Sequence, residues 1–148
     1  MPSNRLLVID DEPDSSAIIG RIARGCGYDV IITTETADCR SKVLSWEPSV
    51  IVLDLSMPEM DGTQLMTWLG QQGSAAEIVI VSGRALGQVR EAEAVGRGCG
   101  LHLVGSLQKP LRIDGLRTIL RKIYDATGLL SIKDATDALK NREIRLAY

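Results

Sequence analysis

Carboxylates, a hydroxyl and a lysine stand directly after short aliphatic runs in this sequence of 148 residues. Asp10 and Asp11 follow one run, Asp54 ends a second, Ser82 ends a third, and Lys109 follows a fourth. Carboxylates brought together repel one another unless a cation neutralises them, and oxygen ligands of this kind favour Mg²⁺. A lysine and a hydroxyl beside such a metal are typical of a phosphoryl site, in which Asp54 would be the nucleophile and its product an acyl phosphate.

These side chains can meet only if the aliphatic runs are neighbouring parallel strands. The runs predict strands at residues 5–10, 28–33, 49–54, 77–82 and 101–107. Amphipathic stretches between them predict one helix that begins at Pro13 and others at residues 36–46, 63–72, 86–95 and 111–124. Strands alternating with helices predict an α/β fold, a five-stranded doubly wound parallel sheet with helices on both faces. Ligands of such sheets bind beyond the C-terminal ends of the strands, where the polar residues lie.

Composition excludes several classes of protein. The chain is 45% hydrophobic and 24% charged with a net charge of −2, as expected for one globular domain. It has no basic-then-apolar leader and no apolar run near the ~20 residues of a membrane span, so we expect neither secretion nor a membrane anchor. The three cysteines predict free thiols in a reducing cytoplasm. Without a helix-turn-helix or a concentrated basic surface, direct binding to nucleic acid is not expected.

Each polar residue alone has an ordinary structural explanation, as a turn former, a cap or a solvated charge. The joint pattern is more specific. The segment Asp54-Leu55-Ser56-Met57-Pro58-Glu59-Met60-Asp61-Gly62 resembles the phosphoacceptor motif of two-component receiver domains, and Asp10-Asp11, Ser82 and Lys109-Pro110 match the other signature positions of that family. The resemblance covers residues 4–125.

The resemblance implies a flavodoxin-like receiver of a response regulator, phosphorylated on Asp54 by a sensor histidine kinase or a phosphotransfer protein. It further implies that Asp11, Asp54 and the backbone carbonyl of Ser56 ligate Mg²⁺, and that Asp10 acts through water. Lys109 would pair with the phosphoryl oxygens and would precede a cis proline bond, and Ser82 would be the hydroxyl of the switch.

Two alternatives remain at this point. The family's usual aromatic position on the fifth strand is Ser106 here, and the chain has no phenylalanine, so a pseudo-receiver that binds partners without taking phosphate stays open. A phosphatase of the haloacid dehalogenase type is disfavoured, because that chemistry needs an acid two residues after the nucleophile and position 56 is serine. Glu12 and Glu59 border the site. Each could tune the chemistry of the site or could simply be a solvated loop residue.

The segment after the receiver is predicted to be separate from it. We expect the last helix to end at Thr127–Gly128, the receiver to cover residues 1–125, and residues 126–148 to be a linker and the start of a truncated output domain. Asp137-Ala138-Leu139 and Glu143-Ile144-Arg145-Leu146-Ala147-Tyr148 resemble the opening of EAL domains, the cyclic-di-GMP phosphodiesterases. Their catalytic motif is absent, so this chain itself is not expected to be an enzyme. A disordered basic tail or a dimerising helix is the alternative, and a homodimer stays open.

Overall fold

The computed structural model describes residues 4–55, 62–83 and 86–135. In this part of the chain, strands and helices alternate from end to end. The strands are Arg5–Ile9 (β1), Asp29–Thr33 (β2), Val50–Asp54 (β3), Glu77–Ser82 (β4) and His102–Gln108 (β5). The helices are Pro13–Gly25 (α1), Thr36–Trp46 (α2), Gly62–Gln71 (α3), Leu86–Gly98 (α4) and Ile113–Ala135 (α5).

The strands form one sheet in the order β2-β1-β3-β4-β5, and every neighbouring pair is parallel. The predicted doubly wound α/β fold is therefore confirmed. Because parallel strands all end at the same edge, the residues that follow β1, β3, β4 and β5 share one side of the sheet.

The sheet is covered on both faces because its central strands are continuous aliphatic runs. On one face, Leu7, Ile51 and Ile78 belong to a cluster completed by α2, α3 and α4. On the other, Val8 and Val52 belong to a cluster completed by α1 and α5. Side chains alternate between the two faces along each strand, so β1 and β3 contribute to both clusters.

Helix α5 is longer than the sequence predicts. We expected Thr127–Gly128 to end it, and this prediction is wrong, since the helix continues through both residues to Ala135. A single glycine inside a helix costs only about 1 kcal/mol relative to alanine, so it weakens a helix without ending it. The helix crosses the predicted domain boundary at residue 125. Where the receiver ends remains a prediction, and the residues that resemble an EAL domain, 137–148, lie outside the described residues.

Strand β5 is an edge strand with an irregularity. Its residues alternate between exposed and half-buried, and its register against β4 shifts so that Ile78 pairs with Leu103 while Val79 pairs with Gly105. The bulged Val104 is 40% exposed. Bulges of this kind protect an edge strand from pairing with another chain.

None of Cys26, Cys39 and Cys99, all within the described residues, forms a disulfide. Cys39 is fully buried, and burial raises the pKa of its thiol to about 11, which keeps it protonated at neutral pH. Cys26 and Cys99 are half-buried. Across the described residues, no helix combines the length and the apolar character needed to cross a bilayer.

Candidate functional site

Four of the predicted site residues lie at one edge of the sheet. Asp10 follows β1, Asp54 is the last residue of β3, Ser82 is the last residue of β4, and Lys109 follows β5. Backbone hydrogen bonds hold this edge together beyond the strands: the amide of Asp10 donates to the carbonyl of Thr33 (3.2 Å), and the amide of Lys109 donates to the carbonyl of Ser82 (2.9 Å). The strand order thus places the Asp54 carboxylate between the other groups.

The polar side chains of this edge are withdrawn from water. Asp10, Asp54 and Ser82 are 1%, 3% and 0% exposed. The Lys109 side chain is 17% exposed, and its Nζ donates to Oδ2 of Asp54 at 3.1 Å. The same Nζ lies 3.6 Å from Oδ2 of Asp10. Asp54, expected to be the nucleophile, is therefore a buried carboxylate in direct contact with a cation.

Lys109 also forms an ion pair that we did not predict from the sequence. Nζ of Lys109 also donates to Oε1 of Glu12, at 2.5 Å. The Glu12 side chain is 61% exposed, so this carboxylate approaches the ammonium from the solvent side. The only signal in the sequence was the position of Glu12 directly after the acidic pair, which does not say where its side chain points.

The electrostatics follow from burial and charge. Burial disfavours the ionised form of Asp10 and, together with the nearby Asp54, raises its pKa to about 6, against the lowering effects of the Glu12 amide and of Lys109. Burial alone would lower the pKa of Lys109. Its hydrogen bonds to Glu12 and Asp54 and the charge of Asp10 outweigh burial and raise that pKa above its ordinary value. The lysine is therefore a permanent cation at physiological pH.

The residues of this edge fit a hard divalent cation. One carboxylate oxygen from each of Asp10, Glu12 and Asp54 lies within 4.8 Å of the others. Among the described residues, Oδ2 of Asp10 is buried without a hydrogen-bond partner. A buried carboxylate oxygen without a donor is costly, and a cation at this point would compensate it. Lysine neutralises only part of the charge of three carboxylates.

Two of the predicted metal ligands, Asp11 and Ser56, lie outside this group of carboxylates. Asp11 is exposed and does not belong to the group of three carboxylates, which contains Glu12. The role of Asp11 in binding metal stays a prediction. Ser56, whose carbonyl was expected to be a ligand, lies outside the described residues, as does Glu59.

Two further expectations concern β5 and the residues after it. The peptide bond between Lys109 and Pro110 is cis, as the resemblance implies. Ser106 lies in β5, is exposed and pairs with Ile80 of β4, two residues before Ser82. The strand thus carries no aromatic side chain at the position where the family usually has one.

The comparisons with known proteins agree with this geometry. Residues 6–121 match the family of response regulator receiver domains, so the chain belongs to that family. A receiver domain is a signalling module of two-component systems rather than a metabolic enzyme.

The curated relatives that match this chain are longer than it is. Sensor protein EvgS of Escherichia coli strain K12 is 32% identical over 124 residues, which is 84% of this chain and 10% of that protein. Tetrathionate response regulatory protein TtrR of Salmonella typhimurium is 30% identical over 142 residues, 95% of this chain and 62% of that protein. The chain therefore spans less than two thirds of either relative.

Solved structures show the same fold. The signal receiver domain of a response regulator from Bermanella marisrubri superposes with a TM-score of 0.70 at 30% identity, covering 84% of this chain and 98% of that one. A response regulator from Colwellia psychrerythraea gives a TM-score of 0.75 at 25% identity, covering 84% of this chain and 99% of that one.

Proposed function

We propose that this chain is a phosphoacceptor receiver domain in which Asp54 takes a phosphoryl group in a Mg²⁺-dependent reaction. The observation that carries the proposal is the contact of 3.1 Å between Nζ of Lys109 and Oδ2 of the buried Asp54. A nucleophilic carboxylate needs a nearby positive charge, since the attacking and transferring groups are both anionic.

The chemistry is a single displacement at phosphorus. A carboxylate oxygen of Asp54 attacks the phosphorus of the donor, a new oxygen–phosphorus bond forms, and the bond from phosphorus to the donor's leaving group breaks with its electron pair. With a histidine kinase or a phosphotransfer protein, the leaving group is an imidazole nitrogen. With acetyl phosphate it is acetate.

The surrounding residues supply charge and orientation. Lys109 donates to oxygens that accumulate negative charge, and its contact with Asp54 holds the carboxylate in one position. Mg²⁺, when bound, would neutralise the phosphoryl oxygens, and Asp10, Asp11, Asp54 and the carbonyl of Ser56 are the proposed residues that hold it, with Glu12 within reach. The buried hydroxyl of Ser82 stands at the same edge as a further donor.

The direct test is phosphorylation by a small donor. Purified protein with acetyl phosphate and Mg²⁺ should gain one phosphoryl group by intact mass, and the gain should be absent with EDTA or in Asp54→Asn. A wild type that stays unmodified, or an Asp54→Asn variant that is still modified, would contradict the proposal.

A pseudo-receiver remains the second candidate, and the exposed Ser106 in place of an aromatic is the observation that favours it. Beryllofluoride with Mg²⁺ separates the two. A receiver that takes phosphate should change its backbone NMR spectrum around Asp54 and Ser82 at saturating ligand, whereas a pseudo-receiver should not change.

The wider context is also part of the proposal. We place the chain in the cytoplasm, with a sensor kinase or phosphotransfer protein as phosphodonor, residues 1–125 as the receiver and an output domain following in the same polypeptide. The match covers only 10% of EvgS and 62% of TtrR, which fits a receiver joined to further domains. The resemblance of residues 137–148 to EAL domains supports a cyclic-di-GMP phosphodiesterase as that output. A reading frame that continues beyond Tyr148 into such a domain would support this, and a stop codon would contradict it.

A further inference from the structure

The carboxylate nearest to the ammonium of Lys109 is that of Glu12, not that of Asp54. Oε1 of Glu12 lies 2.5 Å from Nζ of Lys109, against 3.1 Å for Oδ2 of Asp54 and 3.6 Å for Oδ2 of Asp10. Asp54 and Asp10 reach the ammonium from the buried side, with side chains 2% and 1% exposed, whereas the Glu12 side chain is 61% exposed. The ammonium is therefore closed on its solvent side by Glu12.

The backbone of Glu12 is held by hydrogen bonds, and its side chain binds Lys109. The amide of Glu12 donates to Oδ1 of Asp10 at 2.9 Å, and its carbonyl accepts from the amide of Ser16 at 3.0 Å, which begins α1. A residue at this N-cap position often uses its side chain to cap the helix. Glu12 makes no such bond. Its carboxylate is directed to the ammonium instead.

A phosphoryl group on Asp54 would bring a second anion to the same place. The carboxylate oxygens of Glu12 and Asp54 lie within 4.8 Å of each other. The phosphoryl group carries nearly two negative charges and three acceptor oxygens, whereas an ammonium has only three donors. Because Asp54 loses its carboxylate charge in the reaction, the net charge at this position becomes more negative by about one. Glu12 and the phosphoryl group would then repel each other and compete for Lys109. Because Glu12 alone of the three carboxylates is exposed, only it can move into water at small cost.

We infer that Glu12 is a displaceable counter-anion, which holds Lys109 in the unphosphorylated domain and is released when the phosphoryl group on Asp54 takes its place. Glu12 is thus a positioning residue that acts through Lys109. The inference rests on the proposed phosphorylation of Asp54. It predicts that loss of the Glu12 charge favours phosphorylation, although a loss of charge elsewhere at the start of α1 does not.

The first measurement asks whether the ion pair exists in solution. Urea unfolding in EDTA is compared for the wild type, Glu12→Gln, Lys109→Met and the double variant. Glu12→Gln should destabilise the wild type and have little effect once Lys109 is replaced. The same effect in both backgrounds would mean that there is no pair to release, and would overturn the inference whatever the phosphorylation results.

The second measurement is the rate of phosphorylation by acetyl phosphate at saturating Mg²⁺. Asp14→Asn is the matched control, because Asp14 is an exposed acid in the first turn of α1 and lies outside the carboxylate group. Glu12→Gln should react about two- to fivefold faster than this control, the range expected of an ion pair with one exposed partner. Equal rates would overturn the inference and leave the proposed function standing.

The remaining outcomes also separate the two proposals. If Glu12→Gln reacts more slowly and binds Mg²⁺ at least about tenfold more weakly than Asp14→Asn in a thermal-shift titration, Glu12 is a metal ligand and the inference is wrong. If the ion pair is present but the wild type takes no phosphoryl group, the proposed function fails and the inference fails with it.

Discussion

The hydroxyl of Tyr28 donates a buried hydrogen bond of 2.8 Å to the carbonyl of Leu120, a residue 92 positions later in the chain. Tyr28 precedes β2, and Leu120 lies in α5, so this bond ties the last helix to the first half of the sheet. The ring of Tyr124 packs edge-on against Tyr28, with centroids 5.6 Å apart. Helix α5 is thereby anchored on the face that it shares with α1.

Removal of this hydroxyl should destabilise the fold. Tyr28→Phe keeps the ring and loses the bond to Leu120, and we expect the free energy of unfolding to fall by about 1 kcal/mol in urea denaturation. Tyr124→Phe is the control, since Tyr124 is half-buried and contributes to the pair through its ring. Equal losses in the two variants would contradict the importance of the bond.

The buried Asp10 should make stability depend on pH in the absence of metal. Its pKa is raised from 3.8 to about 6 in the folded state, so the folded chain holds this proton more tightly than the unfolded chain does. The stabilisation is complete below about pH 4 and is lost as the pH rises through about 6. In EDTA at pH 7, Asp10→Asn should therefore be more stable than the wild type by about 1–3 kcal/mol.

Thermal unfolding of both proteins between pH 4 and pH 8 tests the sign. The advantage of Asp10→Asn should grow as the pH rises, because only the ionised carboxylate of Asp10 is penalised by burial. A constant difference in stability across this pH range would mean that ionisation of the buried Asp10 does not destabilise the fold.

Magnesium should offset the stability advantage of Asp10→Asn over the wild type. The proposed cation binds the folded chain and compensates Asp10, so the wild type should gain stability with added Mg²⁺, by about 2.7 kcal/mol at a concentration one hundred times its dissociation constant. Asp10→Asn and Asp54→Asn should gain much less, and Asp14→Asn should gain as much as the wild type. A wild type that melts at the same temperature with and without Mg²⁺ would exclude the cation site.

The contact between Gly70 of α3 and Cys99, the residue after α4, should not tolerate a larger residue at position 70. A Cβ atom there would lie 2.7 Å from both the Cβ and the carbonyl oxygen of Cys99. Because a backbone atom is involved, Gly70→Ala should cost about 1–3 kcal/mol. Gly25→Ala is the matched control at the end of α1, where a Cβ would meet nothing within 4 Å. We expect this control to be neutral or stabilising, and urea unfolding compares the two.

Most of the fold could be predicted from the sequence, for identifiable physical reasons. Strand β4 has the predicted bounds, because Glu77 and Ser82 flank an unbroken aliphatic run. The meeting of Asp54 with Lys109 follows from topology, since parallel strands place their C-terminal ends at one edge. Neither result required knowledge of side-chain positions.

The features that could not be predicted from the sequence depend on local conformations that differ little in energy. A glutamate at the start of a helix can cap it, point into water or bind a lysine, and only the structure shows Glu12 bound to Lys109. Glycine weakens a helix without ending it, so Gly128 did not mark the end of α5. The bulge at Val104 could not be recognised in the sequence. Leu103 and Gly105, which flank it, are both half-buried, so the alternation along β5 continues through the bulge.

The unbroken course of α5 has a mechanical consequence. The helix continues from Tyr124, which packs on the body, to Ala135 without interruption, a length of about 16 Å at the usual rise per residue. A helix of this length is a stiff lever. A tilt of about 10° where it rests on the sheet would displace its far end by about 3 Å, an amplification that a flexible connection would dissipate.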